Sequence, residues 1–218
     1  MKVLAVNGSP RKTWNTATLL NNTLEGAASQ GATTELIHLY DLNYKGCISC
    51  FACKIIGGKS YGKCPIQDDL AEVFKKVEEA DALILGSPIY WGRVTGQMAA
   101  FLDRLLFQYV EYSDSHRSYF PKKINTGFIY TMNVTEEMLK TYGMDKPIEF
   151  NEFGMRMAFG ACESLLSFDT YQFKDYSKVV STLFDAEAKA KRRAEVFPLD
   201  CQKAFDMGVR FVTDKSCN

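Results

Sequence analysis

The chain has 218 residues, of which 46% are hydrophobic and 24% are charged, so the composition excludes a disordered chain and predicts a single globular domain spanning residues 1–218. The 26 lysines and arginines balance 26 aspartates and glutamates, which excludes a globally basic surface of the kind that attracts nucleic acid or anionic lipid. The first residues do not form a signal-peptide core, and no window approaches the roughly 20 apolar residues of a membrane span, so we expect a cytoplasmic protein with neither nucleic-acid nor membrane partners.

Short apolar runs alternate with segments of helical periodicity along the chain. The apolar runs predict strands at residues 2–7, 33–40, 82–86, 126–131 and 164–168. The helical segments are predicted at residues 15–29, 68–79, 95–109, 153–159, 181–196 and 199–213. Residues 111–119 and 134–151 are expected to be surface excursions that form a lid or a dimer contact. Strands that alternate with helices in this way predict a doubly wound α/β domain, with a five-stranded parallel sheet and helices on both faces.

The loop after the first predicted strand carries donors that suit a phosphate. In an open parallel sheet, ligands bind at the carboxyl ends of the strands, so the loops after strands one, three and four are the candidates. Residues 8–16 read Gly-Ser-Pro-Arg-Lys-Thr-Trp-Asn-Thr and supply hydroxyls, a guanidinium, an ammonium and the backbone N–H groups of a helix start. These groups favour a phosphate dianion. The alternative is an ordinary helix start with polar residues before it.

The loop after the third predicted strand, residues 87–93, places aromatic rings at the same edge of the sheet. Tyr90, Trp91 and Gly92 follow shortly after Pro88, in a turn that is badly placed for core packing. Aromatic residues more often serve the core, but rings in this position flank a flat heterocycle well. We therefore predict that this turn contacts a ligand.

These loops resemble those of the flavodoxin-like NAD(P)H-dependent FMN reductases. The resemblance rests on residues 8–12 with Asn15-Thr16, the cysteine segment followed by Asp68-Asp69, residues 87–92 and residues 101–104, in the family's order. It implies a flavodoxin-like fold, FMN as cofactor, NAD(P)H as co-substrate and a homodimer or higher homo-oligomer. It implies that the FMN phosphate is held by Ser9, Arg11, Asn15 and Thr16, with Lys12 and Thr13 as weaker candidates. It implies that the isoalloxazine ring lies against Pro88, Ile89, Tyr90, Trp91 and Gly92, with further contacts from Thr131 and Asn133.

Four of the seven cysteines lie in one short segment. Cys47, Cys50 and Cys53 are separated by two residues each, and Cys64, followed by a proline, comes after a gap of ten residues. In a chain without an export signal, such spacing favours a metal, cluster or redox site over disulfides. The segment resembles that of the iron-sulfur flavoproteins within the same family, which implies a [4Fe-4S] cluster on these four cysteines. The alternatives are a zinc site with four thiolate ligands and four thiols that are redox-active or a remnant of the lineage.

The resemblance implies an FMN-dependent oxidoreductase in which NAD(P)H passes hydride to FMN, and the reduced flavin then reduces a small acceptor such as a flavin or a quinone. Hydride transfer requires no protein acid or base, because the cofactor supplies the chemistry, so we predict no catalytic side chain. The alternative is an iron-sulfur flavoprotein that transfers electrons between one-electron, ferredoxin-like carriers and FMN. A flavin-binding module without turnover is a third hypothesis.

Other charged groups and thiols are expected to have structural roles. We expect Asp103 and Arg104 to pair locally on their helix, and the basic run at residues 189–193 to form a solvated helix face. His116 is expected at the surface. The other three cysteines are expected to be packing or exposed thiols, namely Cys162, Cys201 and Cys217.

Overall fold

A parallel β-sheet forms the centre of the structure, a computed structural model that describes residues 1–114 and 117–214. The strands within those residues are β1 (Lys2–Asn7), β2 (Thr33–His38), β3 (Ala82–Tyr90), β4 (Arg93–Val94), β5 (Asn125–Thr131) and β6 (Glu163–Ser167). The parallel strands lie in the order β2-β1-β3-β5-β6, which is the strand order of flavodoxins. The predicted flavodoxin-like fold with a five-stranded parallel sheet is confirmed. The short strand β4 is an addition that pairs antiparallel with the end of β3.

Helices cover both faces of this sheet. In the described ranges they are α1 (Asn15–Ser29), α2 (Asp69–Glu79), α3 (Gly96–Tyr109), α4 (Glu136–Thr141), α5 (Asp145–Phe159), α6 (Ala186–Glu195) and α7 (Phe197–Thr213). Leu4 and Val6 of β1 join the apolar cluster on the side of α2, α3 and α5. Val3 and Ala5 join the cluster on the side of α1 and α7. Strands buried on both faces in this way are typical of parallel sheets.

Helices α1 and α7 approach each other backbone to backbone. A Cβ atom added to Gly26 would lie 2.0 Å from the carbonyl oxygen of Phe205. One added to Gly208 would lie 1.9 Å from the carbonyl oxygen of Thr23. Such distances are far inside van der Waals contact, so this close approach requires glycine at both positions. The contact fixes the position of α1, which begins at the carboxyl edge of the sheet.

The third predicted strand is longer than expected. β3 continues to Tyr90 because its last two residues pair with β4. The turn between the two strands, Trp91-Gly92, has φ angles of 50° and 76°, and tight two-residue hairpin turns require such positive values. The hairpin therefore carries Trp91 at its tip, at the carboxyl edge of the sheet.

The second half of the chain is more helical than predicted. Residues 134–151, predicted as a surface excursion, contain α4 and the start of α5, and Leu139 and Ile148 are buried there. Helix α6 begins later than predicted, because Asp185 caps it by accepting from two backbone N–H groups of the first turn. The unexpected helices follow β5 and so lie close to the ligand edge of the sheet.

The isolated thiols have surroundings that agree with packing roles. Cys162 and Cys201 are half-buried, and burial raises the pKa of both thiols, that of Cys162 to about 11. Cys217 and His116 lie outside the described residues. In the part of the chain that the structure describes, no helix has the length and apolar character needed to cross a bilayer.

Candidate functional site

A cleft opens at the carboxyl edge of the sheet, where the loops after β1, β3, β5 and β6 meet. Because these strands are parallel, their carboxyl ends bring residues from distant parts of the sequence together. The predicted flavin contacts that line this first cleft are Ser9, Arg11, Asn15, Thr16, Pro88, Ile89, Tyr90, Thr131 and Asn133. The other two, Trp91 and Gly92, line a second cleft that shares Tyr90 and Asn133 with the first. The structure thus places the predicted contacts in two adjoining clefts.

The loop between β1 and α1 is held in a tight turn. Gly8 donates its backbone N–H to the carbonyl oxygen of Gly86 at 2.7 Å, and a Cβ atom at Gly8 would lie 2.8 Å from the Cβ of Met98. Ser9 is buried, and its hydroxyl oxygen accepts the backbone N–H of Arg11 at 3.1 Å. These contacts bring the loop close to the sheet edge and fix the direction in which α1 begins.

Helix α1 presents backbone donors at the first cleft. Its N-cap residue is Trp14, which makes no side-chain capping bond, so the N–H groups of the first turn are available to another acceptor. Asn15 and Thr16 are buried, and the Thr16 hydroxyl bonds that of Thr131 at 2.7 Å. A helix N-terminus with buried polar side chains beside it is suited to binding an anion.

The loop after β6 completes the first cleft, although no sequence motif marks it as a ligand loop. Arg11 donates from Nη1 to the carbonyl oxygen of Gln172 at 2.6 Å. The side chains of Trp14 and Asn15 donate to the carbonyl oxygen of Tyr171 at 3.1 Å and 2.9 Å. All of these residues line the cleft. Ligands bind at the carboxyl ends of parallel strands, and β6 is the fifth parallel strand of this sheet. The loop after β6 is therefore an expected ligand loop for the same reason as the other three.

The second cleft lies against the β3–β4 hairpin and is the larger of the two. It encloses about 520 Å³, whereas the first encloses about 100 Å³. Trp91 is 99% exposed and Tyr90 is 46% exposed, so aromatic surface is open to solvent here. The Oδ1 atom of Asn133 is buried and has no hydrogen-bond partner among the residues that the structure describes. A buried acceptor of this kind usually has a partner in the functional state.

The first two cysteines of the four-cysteine segment lie in an irregular loop, and Cys53 lies in the 3₁₀ turn Ala52–Lys54 that follows it. Cys47 and Cys50 are exposed, and Cys53 is buried. Ser49 and Phe51 have left-handed backbones, with φ angles of 55° and 56°, which are uncommon for residues with side chains. The Ser49 N–H points to the Sγ atom of Cys47 at 3.4 Å. The loop therefore turns sharply and directs a backbone donor to a sulfur.

The insert between Cys53 and Cys64 folds back on itself. The Gly62 N–H donates to the carbonyl oxygen of Cys53 at 2.9 Å, and the Cys64 N–H donates to Oε1 of Gln108 at 2.9 Å. Burial raises the pKa of the Cys53 thiol, and the nearby Cys64 and Cys50 thiols raise it further. Within residues 1–114 and 117–214, no three histidine, cysteine or carboxylate side chains are arranged to hold one metal ion.

Arg104 joins the two ends of the cysteine segment. Its side chain is 1% exposed and donates to both carboxylate oxygens of Asp68, at 2.5 Å and 3.0 Å, and to the carbonyl oxygen of Lys45 at 3.1 Å. The prediction that Arg104 pairs locally on its helix is wrong, because its partner Asp68 lies 36 residues away. Adjacent residues of a helix do not face each other, and Asp103 is exposed whereas Arg104 is on the buried face of α3.

Lys54 attaches the cysteine segment to the end of α3. Its Nζ atom donates to the carbonyl oxygens of Phe107 and Val110 and lies 4.8 Å and 5.3 Å from the ring centroids of Phe107 and Tyr119. Burial lowers the pKa of this ammonium. A cation at a helix C-terminus is stabilised by the carbonyl groups there. Lys54 and Arg104 together attach the cysteine segment to α3 and to the start of α2.

Two cations of the basic run on α6, Lys189 and Arg193, pack inward. The prediction of a solvated helix face is wrong for these two residues. The Lys189 side chain is 2% exposed and pairs with Asp169 at 2.5 Å. Arg193 donates to the side-chain oxygen of Asn15 at 2.8 Å. Asp169 lies in the loop after β6 and Asn15 is the first residue of α1, so both acceptors lie at the ligand edge. Of the four cations in residues 189–193, only Lys191 is exposed. The fold supplies buried acceptors that the sequence pattern does not reveal.

A family model described as NADPH-dependent FMN reductase matches residues 1–124 of the chain. The chain belongs to this family. The matched residues include the β1–α1 loop, the cysteine segment and the β3–β4 hairpin. The loops after β5 and β6 and the helices α4 to α7 lie beyond the family match.

Curated relatives of this FMN reductase family member carry the name iron-sulfur flavoprotein. One from Methanocaldococcus jannaschii is 45% identical over 104 residues, which are 48% of this chain and 51% of that protein. One from Archaeoglobus fulgidus is 42% identical over 104 residues, which are 48% of this chain and 48% of that protein. The chain thus spans about half the length of the curated relatives it matches.

Solved structures resemble the chain over nearly its whole length. An NAD(P)H:quinone oxidoreductase from Methanothermobacter marburgensis has a TM-score of 0.71 at 17% identity and covers 96% of this chain and 98% of its own. An azoreductase from Bacillus anthracis has a TM-score of 0.69 at 14% identity and covers 97% of this chain and 100% of its own. Identities this low show a shared fold. That fold extends past the family match into the second half of the chain.

Proposed function

We propose that this member of the FMN reductase family binds FMN across the two clefts and uses it to reduce a small acceptor, such as a flavin or a quinone, with NAD(P)H. The observation that carries the proposal is the convergence of three predicted ligand loops on one cleft at the carboxyl edge of the sheet. Membership of the family supports FMN and NAD(P)H as the two ligands.

The first cleft fits the phosphate of FMN. Its volume of about 100 Å³ suits a small group rather than a tricyclic ring. The donors around it are the Ser9 hydroxyl, the Arg11 guanidinium, the side chains of Asn15 and Thr16, and the uncapped N–H groups of α1. Donors of this kind at a helix N-terminus bind phosphate dianions. Ser9, Arg11, Asn15 and Thr16 would therefore hold the phosphate.

The second cleft fits the isoalloxazine ring. Its volume of about 520 Å³ admits a flat heterocycle, and Tyr90 and Trp91 supply aromatic surface for stacking. Within the described part of the chain the buried Oδ1 atom of Asn133 has no hydrogen-bond partner, and the ring imide of a flavin offers an N–H donor that would satisfy it. Ile89 and Gly92 also line this cleft. Pro88 and Thr131, which line the adjoining first cleft, complete the set of proposed ring contacts.

When bound, FMN supplies the two-electron chemistry, accepting hydride from a nicotinamide and passing it to the acceptor. The chain binds the phosphate at the start of α1 and orients the ring against the β3–β4 hairpin. Exposure of Trp91 and Tyr90 leaves the second cleft accessible to NAD(P)H and to the acceptor in turn. The proposal includes a homodimer or higher homo-oligomer, because exposed aromatic side chains such as Phe150 and Phe153 offer apolar surface to a second copy.

Arg11→Met is expected to weaken FMN binding about 10-fold to 100-fold, because charge-assisted hydrogen bonds to the phosphate are lost. Riboflavin lacks the phosphate, so its affinity should not change. Lys12→Met is the matched control, since Lys12 pairs with Asp41 at 2.5 Å and does not line the first cleft. Quenching of flavin fluorescence during titration with FMN and with riboflavin measures all of these affinities.

Two outcomes of these titrations contradict different parts of the proposal. Equal losses of FMN and riboflavin affinity in Arg11→Met would show that Arg11 does not bind the phosphate. Failure of the unmodified protein to bind FMN would overturn the proposed function. Anaerobic bleaching of the bound flavin by NADPH then tests turnover, and a flavin that neither NADPH nor reduced ferredoxin bleaches would indicate a binding module.

A second candidate function is that of an iron-sulfur flavoprotein, which exchanges electrons singly between ferredoxin-like carriers and FMN. The observation that favours it is the folded-back segment that returns Cys64 toward Cys53. Each thiolate of a [4Fe-4S] cluster binds a different iron, whereas zinc needs its ligands to converge on one ion. The names of the curated relatives agree with a cluster. Its proposed ligands are Cys47, Cys50, Cys53 and Cys64.

The cluster hypothesis predicts about four irons and four acid-labile sulfides per chain in anaerobically purified protein. Cys53→Ala should lose most of this iron because Cys53 is a buried ligand, whereas Cys201→Ala should retain it. Iron and sulfide assays, with the absorbance spectrum of the same sample, measure both. Flavin bands with negligible iron would contradict the cluster. Loss of activity in Cys50→Ala without loss of iron would favour a thiol role.

A further inference from the structure

Arg193 of α6 reaches the start of α1, although the two residues lie near opposite ends of the chain. Its Nη1 atom donates to Oδ1 of Asn15 at 2.8 Å. Its guanidinium lies 4.1 Å from the centroid of the Phe197 ring, which holds the side chain in place. Asn15 is buried and lines the first cleft. A cation from the far end of the sequence therefore touches one of the proposed phosphate ligands.

Arg193 and the Tyr171 carbonyl hold the Asn15 amide from opposite sides and together set the direction in which it points. A guanidinium carries only donors, so the atom of the amide that faces it must be the oxygen. The Nδ2 atom then lies on the other side of the amide, where it donates to the carbonyl oxygen of Tyr171 at 2.9 Å. Nδ2 carries a second hydrogen for a ligand in the cleft. A reversed amide would present an oxygen there and repel an anion.

The same helix holds the opposite wall of the cleft through Lys189. Its Nζ atom donates to the carbonyl oxygen of Asn133 at 3.0 Å and to the carboxylate of Asp169 at 2.5 Å. Asp169 has a φ angle of 48°, and its N–H donates to the carbonyl oxygen of Val134 at 2.9 Å. Helix α6 thereby joins the loops after β5 and β6 to each other and, through Arg193, contacts the start of α1.

We propose that Arg193 is a positioning residue for phosphate binding, which fixes the Asn15 amide so that its N–H donors face the cleft. The inference rests on the proposed function, because it takes the FMN phosphate as the ligand at Asn15. Arg193 lies beyond residues 1–124, where the family model matches. It acts through Asn15 and does not itself bind the ligand.

Arg193→Met is expected to weaken FMN binding about 10-fold and to leave riboflavin binding unchanged. Methionine keeps the apolar contact with Phe197 and removes the donors. In an Asn15→Ala background the same substitution should cause no further loss, because its effect passes through the Asn15 amide. Arg193→Lys should restore most of the affinity, since lysine is also only a donor. Lys191→Met, exposed on the same helix, controls for the loss of one positive charge.

The outcomes of this double-mutant cycle separate the inference from the proposed function. The inference is wrong if Arg193→Met weakens FMN binding by the same factor in the Asn15→Ala background as in the unmodified protein. It is also wrong if the Arg193→Met variant binds FMN as tightly as the Lys191→Met variant. An equal loss of riboflavin affinity would also overturn it. If the unmodified protein binds no FMN, the proposed function fails instead. Should circular dichroism show that Arg193→Met does not fold, Arg193→Leu, which also lacks a donor, is measured in its place, with the same expected loss.

Discussion

Replacing Gly208 with alanine is expected to lower the free energy of unfolding by about 3 kcal/mol or more. The new methyl group would lie 1.9 Å from the carbonyl oxygen of Thr23 and 2.8 Å from the backbone nitrogen of Ala27. Both obstructing atoms belong to the backbone of α1, so no side-chain rotation relieves the contact. Helix α7 must therefore move away from α1, which opens the apolar interface between the two helices.

Urea-induced unfolding of Gly208→Ala and Gly96→Ala measures this effect against a matched control. Gly96 is the first residue of α3, and a Cβ atom there meets nothing within 4 Å, so alanine should be neutral or stabilise by up to about 1 kcal/mol. The double variant Gly26→Ala, Gly208→Ala should lose less unfolding free energy than the two single variants lose together, because one displacement of the helices relieves both contacts. Equal stabilities of Gly208→Ala and Gly96→Ala would contradict the close approach of the helices.

The parts of the site that the sequence predicts are those with local signals. The apolar run of β1 ends at a glycine-serine-proline turn, and the apolar run of β3 ends near Tyr90 and Trp91. Each signal lies within a few residues, and the parallel sheet brings the strand ends to one edge. Most of the predicted contacts therefore line one cleft without any knowledge of long-range packing.

The parts that the sequence does not predict depend on contacts between distant segments. A basic helix has the same pattern whether it is solvated or packed, so the bond from Arg193 to Asn15 is visible only in the fold. The same holds for Arg104, whose partner Asp68 lies 36 residues away. The sequence does not predict the close contact at Gly208 either, because a single glycine within a helical pattern does not reveal which backbone passes beside it.

Arg104→Met is expected to lower the free energy of unfolding by about 3 kcal/mol, because breaking a buried ion pair leaves the remaining charge without a partner. The Asp68 side chain is 18% exposed, so water reaches it and keeps the loss at the lower end of the range for such pairs. The carbonyl oxygen of Lys45 also loses its donor. Since Lys45 and Asp68 lie on either side of the four cysteines, the substitution should loosen both ends of the segment.

Arg156→Met is the matched control for this substitution, because Arg156 pairs with Glu152 at 3.4 Å on the surface of α5, where its side chain is 46% exposed. This substitution should lower the free energy of unfolding by no more than about 0.5 kcal/mol. Adding Asp68→Asn to Arg104→Met should recover part of the loss, since asparagine still caps α2 and leaves no unpaired carboxylate. Faster proteolysis within residues 47–64 of Arg104→Met alone would place the loosening in the cysteine segment. If Arg104→Met matches the control in both measurements, the Lys54 contacts with the end of α3 hold the segment without help from Arg104.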